Sequence, residues 1–478
     1  MDGLILEMSA LSIIPYMSHP GSVPLSLISM QETFAPAVMM RPVAMSLLPR
    51  SLPHVPRSSR AMSGVRLQVV PGRCLYDAPL RLQVRGLSPG QDVSLHTALS
   101  DEGGQLFSSV GRYRADSSGE LDVSRSPALE GGSYTGVEPE GPLWSLEPRT
   151  PLRRLLKKDV RSPYQLRFSL HPHPPGAPLA SAAQDRSFMG EGVTRVPVRD
   201  GRVRGSLFLP PGEGPFPAII DLYGTGGGLM EHRASLLANH GYFTMALAYF
   251  DYDDLPNNLG GLHLDYFREA LELVRSHPKV NAESIGVIGI SKGADLALSM
   301  ATFLPGIKAA VSISGCCANT FAPLPCGNFE LPCLGFSAEK VKFTEAGELD
   351  FSESMDDLMD PANHGALIPV ERSPAAFLIL SGSDDKNWPS ATYTEQLVAR
   401  LREHQKDVEF QCYPGAGHLL EPPYFPLCKV SHHKLLGVPM LWGGQTKAHS
   451  KAQEDAWKKI QTFFFKHLKG KDTVKSHL

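Results

Sequence analysis

The sequence predicts an α/β protein in which a doubly wound, mostly parallel sheet follows an antiparallel β-sandwich. Two patterns carry this prediction. Over residues 62–190, short runs of alternating apolar residues are separated by turn sequences at roughly ten-residue spacing. Over residues 191–478, continuous apolar runs alternate with amphipathic helical stretches. A chain of 478 residues is long enough to build both domains.

The predicted sandwich begins with two alternating runs. Val65, Leu67 and Val69 form the first run, and the second starts at Leu80. Residues rich in Gly, Asp, Ser and Pro follow at 88–90, 101–104, 116–119 and 130–132, where they predict turns. Alternation places one face of each strand in a core and the other in solvent, as a sandwich requires.

The predicted α/β domain contains short buried strands and longer helices. The strands are expected at 203–209, 217–223, 242–249, 284–290, 375–380 and 408–413. The helices are expected at 262–276, 294–303, 389–404 and 451–468. Strands that alternate with helices favour parallel pairing, because a crossover helix is needed to return the chain to the same edge.

Composition excludes several classes of function. The net charge is −3, so the chain as a whole lacks the basic footprint of a nucleic-acid-binding protein. No run of about eighteen uninterrupted apolar residues occurs, so no membrane-spanning helix is predicted. The seven cysteines have neither zinc-site nor disulfide-framework spacing, which indicates free thiols in a reducing compartment.

The strand predicted at 284–290 leads into Gly289-Ile-Ser291-Lys-Gly293 and then into a predicted helix. This is a GxSxG sequence between a strand and a helix, the setting of a nucleophile elbow in the α/β-hydrolase fold. The tight turn leaves no room for side chains at the glycine positions. The following helix points its N-terminus at the serine, which favours negative charge developing there. Ser291 is therefore the predicted nucleophile.

The acid and the base of a hydrolase triad are expected in the order Ser, acid, His. Asp384 and Asp385 directly follow the strand predicted at 375–380, and Asp385 has the favoured spacing with Asp384 as its alternative. The spare aspartate is expected to cap the helix predicted at 389–404. Among seventeen histidines, His418 follows the last core strand in a Gly-rich loop, so His418 is the predicted base.

An oxyanion hole needs main-chain N–H donors. Lys292, the residue after the predicted nucleophile, should supply one. The loop after the strand predicted at 217–223 reads YGTGGG, and Thr225 in it should supply the other. A phosphate-binding loop is a competing interpretation, but no GK[ST] follows and GxGxxG is absent.

Longer motifs resemble a known family, the type I acyl-CoA thioesterases, whose sister group is the bile acid-CoA:amino acid N-acyltransferases. The matching sequences are RVRGSLFLPP at 202–211, YGTGGGL at 223–229, ALAYF at 246–250, GISKG at 289–293, DDKNW at 384–388, GHLLEPPYFPLC at 417–428 and LWGG at 441–444. The resemblance covers residues 69–468 and implies hydrolysis of fatty acyl-CoA through Ser291, Asp385 and His418. It implies no metal and no bound cofactor, and a small-molecule acyl-CoA as substrate.

Three alternatives remain open. The amino-acid-conjugating members of the resembling group carry cysteine at the nucleophile position, whereas this chain has Ser291. An N-acyltransferase that passes the acyl group to glycine or taurine is nevertheless an alternative. The others are a dienelactone-hydrolase-like or peptidase-like esterase and a catalytically silent hydrolase fold that serves as a binding module.

Both ends of the chain contain candidate targeting sequences. Residues 1–61 are rich in Met, Pro, Ser and Leu, and their later part contains arginines but no acidic residue. They are predicted to be a disordered leader or a mitochondrial transit peptide, with Met62 as a second start. The C-terminal Ser476-His477-Leu478 is a variant of the Ser-Lys-Leu signal that a peroxisomal import receptor binds. The expected location is the peroxisome or the mitochondrial matrix, in preference to the cytoplasm.

Overall fold

A computed structural model describes residues 64–470 of the chain. The predicted leader at 1–61 and the C-terminal tripeptide Ser476-His477-Leu478 lie outside these residues.

Two sheets build the part of the chain that precedes the catalytic domain. The strands are β1 (Arg66–Val69), β2 (Arg73–Leu75), β3 (Leu82–Arg85), β4 (Asp92–Ser100), β5 (Leu106–Arg114), β6 (Leu121–Asp122), β7 (Glu147–Pro148), β8 (Tyr164–Pro172) and β9 (Ala180–Ser187), with a short helix α1 (Gly141–Trp144) before β7. The larger sheet has the order β2-β9-β8-β4-β5-β7 and the smaller one β1-β3-β6. All pairs are antiparallel except β2 with β9, which run parallel.

The remaining elements follow in chain order. They are β10 (Thr194–Asp200), β11 (Val203–Leu209), β12 (Phe216–Leu222), α2 (His232–Asn239), β13 (Phe243–Ala248), α3 (Leu264–Ser276), β14 (Val280–Ile290), α4 (Lys292–Phe303), β15 (Ile307–Ile313), β16 (Leu324–Cys326), β17 (Phe329–Leu331), β18 (Lys342–Phe343), β19 (Leu349–Asp350), β20 (Ala376–Gly382), α5 (Ser390–Glu403), β21 (Val408–Tyr413), β22 (Val430–His433), β23 (Val438–Leu441) and α6 (Thr446–Phe464). Short 3₁₀ helices occupy Ala338–Lys340, Pro361–Ala366 and Val370–Arg372, and a π-helical turn, Phe465–Lys469, ends the described chain.

The main sheet has eight strands in the order β10-β11-β13-β12-β14-β15-β20-β21. The pairs from β13 to β21 are parallel, whereas β10, β11 and β13 pair antiparallel at the other edge. This confirms the predicted doubly wound, mostly parallel sheet. The carboxyl ends of β14, β20 and β21 therefore meet at one edge, which is where the loops that follow them carry Ser291, Asp385 and His418.

Two strands of the main sheet were not among the predicted elements. β15 lies between β14 and β20, and its sequence IKAAVSI contains two alanines, which have low strand propensity. β10 is an edge strand that is mostly exposed and contains Pro197, a residue that edge strands tolerate. Neither sequence has the uninterrupted β-branched run that identifies a central strand.

The sandwich and the main sheet share a continuous apolar core. At their junction, the ring of Tyr76 stacks on Phe188 at 4.7 Å between centroids and lies 4.6 Å from Phe425. Trp457 of α6 donates its Nε1–H to Asp77 at 2.9 Å. The sandwich therefore packs against the loop that follows β21 and against α6.

Candidate active site

Ser291 lies at the turn between β14 and α4 with φ of 56° and ψ of −128°. Such a backbone is strained for a residue with a side chain, and it lifts the hydroxyl above the sheet edge. A Cβ added at Gly289 would lie 1.9 Å from the carbonyl oxygen of Gly293. A Cβ added at Gly293 would lie 2.3 Å from the carbonyl oxygen of Tyr223. The glycines are therefore required by the close approach of the backbone, as the sequence analysis expected.

Asp385 and His418 are brought together by the loops that follow β20 and β21. The ring Nδ1 of His418 lies 2.8 Å from Asp385 Oδ2, and both side chains are almost completely buried. Asp385 Oδ1 accepts the main-chain N–H of Asn387 at 2.8 Å, so both carboxylate oxygens are engaged. Because Nδ1 donates to the carboxylate, Nε2 of the neutral imidazole is the acceptor.

His418 Nε2 has no hydrogen-bond partner among residues 64–470, although it is buried. His418 and Ser291 line the same cavity, whose volume is about 280 Å³. The structure thus brings the serine and the histidine to one cavity without a hydrogen bond between Ser291 Oγ and His418 Nε2. A buried ring nitrogen that lacks a partner and borders a cavity is available to take a proton there.

Asp384 points away from the histidine. Its Oδ2 accepts the main-chain N–H of Gly444 at 3.0 Å, and its Oδ1 lies 3.7 Å from Lys386 Nζ. The expectation that the spare aspartate caps the following helix was wrong. Helix α5 begins at Ser390 after Pro389, and no side chain caps its N-terminus. Asp384 instead joins its own loop to the loop before α6.

The loop after β12 passes directly over Ser291. A Cβ added at Gly224 would lie 2.9 Å from Ser291 Cβ, so only glycine fits there. Thr225, the next residue, borders the cavity. Unlike Thr225, Lys292 does not line the cavity, and its side chain is buried. Its Nζ donates to Asn319 Oδ1 at 2.9 Å and to the carbonyl of Thr320 at 2.7 Å.

His433 is a site residue that the sequence analysis missed. Its Nδ1 accepts the N–H of Leu436 at 3.3 Å, so its Nε2 carries the proton and donates to Thr225 Oγ1 at 2.9 Å. Burial and the nearby His418 lower the pKa of His433 to about 4, so the ring is neutral at neutral pH. The Thr225 hydroxyl accepts this bond, which leaves its own proton free to donate.

Trp442 packs against both histidine rings. Its ring lies 5.7 Å from His418 with an interplanar angle of 20°, and 5.8 Å from His433. The indole Nε1–H donates to Ser431 at 2.8 Å, which fixes the plane of the ring. Trp442 therefore holds both imidazoles at the wall of the cavity. The sequence LWGG at 441–444 is one of the motifs that resemble the family, but the resemblance implied no role for Trp442.

Glu421 lies three residues after His418 and is buried in a polar network. Its Oε1 accepts from Arg154 and from the hydroxyl of Tyr223, and its Oε2 lies 2.8 Å from His232 Nε2. Burial by itself would raise the pKa of Glu421. His232, Arg154 and Tyr223 outweigh it and hold the pKa well below the ordinary value. The network therefore keeps a charged carboxylate beneath the loop that carries His418.

His449 of α6 supports the same loop from the other side. Its Nδ1 accepts the N–H of Gly417 at 3.0 Å, and its Nε2 donates to the carbonyl of Leu419 at 3.0 Å. These two bonds hold Gly417 and Leu419, the residues directly before and after His418. Burial lowers the pKa of His449 to about 4, so the neutral tautomer that makes both bonds is the stable one.

Within residues 64–470, no group of three or more His, Cys, Asp or Glu side chains is arranged to hold a metal ion. The helices in the same range are too short or too polar to cross a membrane.

Two family models match the chain. One is described as "BAAT / Acyl-CoA thioester hydrolase C terminal" and matches residues 262–470. The other is described as "Acyl-CoA thioester hydrolase/BAAT N-terminal region" and matches residues 77–200.

Curated proteins are similar over most of the chain. The human "Acyl-coenzyme A thioesterase 2, mitochondrial" is 48% identical over 425 residues, which are 88% of this chain and 88% of that protein. The human "Acyl-coenzyme A thioesterase 1" is 50% identical over 84% of this chain and 96% of its own length. Among solved structures, the Pyrococcus horikoshii acylaminoacyl peptidase is similar at 12% identity and a TM-score of 0.39, covering 84% of this chain and 61% of the peptidase.

Proposed function

This chain belongs to the acyl-CoA thioester hydrolase/BAAT family, and on that premise we propose that it is an acyl-CoA thioesterase with Ser291 as nucleophile, His418 as base and Asp385 as the acid that orients it. The observation that carries the proposal is the bond between His418 Nδ1 and Asp385 Oδ2. His418 Nε2 has no hydrogen-bond partner among the described residues, and His418 lines the same cavity as Ser291.

The first half of the reaction forms an acyl-serine. Ser291 Oγ attacks the thioester carbonyl while its proton passes to His418 Nε2, and Asp385 stabilises the imidazolium that results. Charge develops on the carbonyl oxygen, where the main-chain N–H groups of Lys292 and Thr225 are the proposed donors. The C–S bond then breaks, and the CoA sulfur takes the proton from His418, either as it leaves or directly after leaving as a thiolate. His418 Nε2 is then free to accept a proton again.

The second half releases the acid. Water attacks the acyl-serine carbonyl as His418 Nε2 removes its proton, and the proton then returns to Ser291 Oγ as the ester bond breaks. The products are a free carboxylic acid, CoA and the original enzyme. Apart from the substrate and the attacking water, every group in this scheme belongs to the chain itself, and the scheme uses neither a metal nor a bound cofactor.

His433 supports the oxyanion hole. Since His433 Nε2 donates to Thr225 Oγ1, the hydroxyl proton of Thr225 is free to point into the cavity. This side chain can then add a third donor to the two main-chain groups. Its position depends on a neutral His433, which the low pKa of that histidine favours.

The proposed activity is tested by measuring thiol release from a series of acyl-CoA substrates. Wild-type protein should release CoA, and Ser291→Ala should not. The same assay with added glycine or taurine distinguishes hydrolysis from amide formation. A product that is an N-acyl amino acid rather than the free acid would replace the proposed hydrolase with a transferase.

We also propose that the chain is imported into mitochondria or peroxisomes. The name of the 48%-identical human relative includes "mitochondrial", which supports the first location. The peroxisomal location rests on Ser476-His477-Leu478 and on an import receptor as partner. Imaging of two fluorescent fusions, one leaving the C-terminus free and one blocking it, tests both. If blocking the C-terminus leaves the cellular distribution unchanged, the tripeptide is not a targeting signal.

A further inference from the structure

Positive charge dominates the lining of the active-site cavity. Among its lining residues in the described part of the chain are two arginines and two lysines, Arg153, Arg154, Lys158 and Lys434, and a single carboxylate, Asp101. Three of the cations come from the segment between β7 and β8, and Lys434 comes from the turn between β22 and β23. Cations from both parts of the structure therefore border the cavity that contains Ser291.

The segment between β7 and β8 divides its basic residues between the interior and the surface. Arg154 turns inward to Glu421 and Tyr223, and Lys157 is buried with its Nζ bonded to Glu102. These two buried cations anchor the segment at two points. Their neighbours in sequence, Arg153 and Lys158, are exposed and border the cavity.

The two exposed side chains have no partner of opposite charge. In the range 64–470, neither the guanidinium of Arg153 nor the Nζ of Lys158 makes a hydrogen bond or an ion pair. Among the described residues Asp101 forms no ion pair with either of them, and its Oδ1 accepts the N–H groups of Gly103 and Gln105, each at 2.8 Å, in its own turn. Lys434 pairs with Asp251 and remains mostly exposed. We define Arg153, Lys158 and Lys434 as the basic rim.

We propose that the basic rim binds the phosphate groups of the CoA portion of the substrate. This inference rests on the proposed function, since it assigns a place to the part of acyl-CoA that does not react. The thioester must reach Ser291, whereas the charged phosphates stay near solvent. Guanidinium and ammonium groups form charge-assisted hydrogen bonds with phosphate. Since Arg154 and Lys157 already anchor the segment that carries two of the rim residues, its backbone loses little freedom on binding.

The rim gives the sandwich a proposed part in substrate binding. Arg153 and Lys158 belong to the part of the chain that precedes the main sheet, while Ser291 and His418 belong to the loops at its edge. Each part supplies one end of the binding site. The substrate would thus bridge the two parts, with its phosphates on one and its thioester on the other.

The test compares two thioesters that carry the same acyl chain. One is the acyl-CoA, and the other is the N-acetylcysteamine thioester, which has the reacting group without phosphates. For the double variant Arg153→Ala/Lys158→Ala, kcat/KM for acyl-CoA should fall about tenfold or more, mainly through KM. The rate with the N-acetylcysteamine thioester should be unchanged. Added salt should raise KM for acyl-CoA in wild type and much less in the variant.

A matched control is the double variant Lys308→Ala/Lys340→Ala. It removes the same charge from exposed residues that do not line the cavity, so it should leave both substrates unaffected. Calorimetric titration with CoA and with pantetheine gives a readout that needs no turnover. The rim variant should weaken binding of CoA only.

Several outcomes would overturn the proposal. It fails if the rim variant binds and turns over CoA compounds like wild type. It also fails if the rim variant loses activity equally on both thioesters, or if the control variant matches it. Wild-type protein that hydrolyses neither thioester would contradict the proposed function instead. In that outcome the CoA titration still decides whether the rim binds phosphates.

Discussion

Arg154 and Glu421 form a mostly buried ion pair that joins the segment between β7 and β8 to the loop carrying His418. The side chains of Arg154 and Glu421 are only 14% and 6% exposed. The same carboxylate also accepts from Tyr223, whose carbonyl oxygen limits the space at Gly293 in the turn of Ser291. Glu421 therefore connects the loop carrying His418 to Arg154 and to Tyr223, so three segments are joined at the candidate active site.

Arg154→Met should lower the free energy of unfolding by about 3–5 kcal/mol, because it leaves the charge of Glu421 buried without its arginine. Activity should fall as well, since the His418 loop loses its anchor. Urea unfolding at pH 7 measures the first effect. Arg153→Met is the matched control, because its side chain is exposed and unpaired within the described chain, and its stability should stay within about 0.5 kcal/mol of wild type. Equal stability of the two variants would contradict the anchoring role.

Ser291→Ala should lower kcat by several orders of magnitude while the fold is kept. Alanine is smaller than serine and lacks only the hydroxyl, so the strained turn can still form. Thiol release gives the rate, and circular dichroism with thermal unfolding verifies the fold. A residual rate within tenfold of wild type would remove Ser291 from the proposed role.

Asp385→Asn and Asp384→Asn form a matched pair of conservative substitutions. Asp385→Asn should lower kcat by about 10⁴, because an amide favours the wrong tautomer of His418. Asp384→Asn should have a small effect, since an amide oxygen can still accept the N–H of Gly444. Steady-state kinetics of both variants is the measurement. The opposite ranking would transfer the acid role to Asp384.

His449 makes stability depend on pH. Its folded pKa of about 4 lies below the ordinary value of about 6.5, so the unfolded chain binds more protons between these values. Stability contributed by neutral His449 is therefore fully present above about pH 6.5 and is lost as pH falls toward 4. Between pH 7 and pH 5 this residue should account for a loss of about 2 kcal/mol.

His449→Gln isolates that contribution. Glutamine can accept from Gly417 and donate to Leu419 without titrating, so the variant should keep activity at pH 7. Its unfolding free energy, measured in urea at pH 7 and pH 5, should fall by about 2 kcal/mol less than that of wild type. His449→Leu, which removes both bonds, should reduce activity. An unchanged pH dependence in His449→Gln would contradict the assignment.

Local sequence determined six of the eight main-sheet strands and the order of the candidate site residues. Periodicity predicted β11 and β21 with their observed bounds and predicted α3, α4 and α5 to within a few residues. GxSxG predicted a tight turn because close backbone approach requires glycine at Gly289 and Gly293. The edge at which Ser291, Asp385 and His418 collect followed from parallel pairing, since each comes just after a strand.

Only the tertiary structure decided which groups meet. Asp384 and Asp385 are neighbours with the same chemistry, and the path of their loop sends one to Gly444 and the other to His418. The strand β15 is recognisable by its partners β14 and β20 rather than by its alanine-containing sequence. Arg154 and Glu421 are 267 residues apart in the chain. Local periodicity does not encode such a pairing, because a buried charge finds its partner only when the whole fold brings distant segments together.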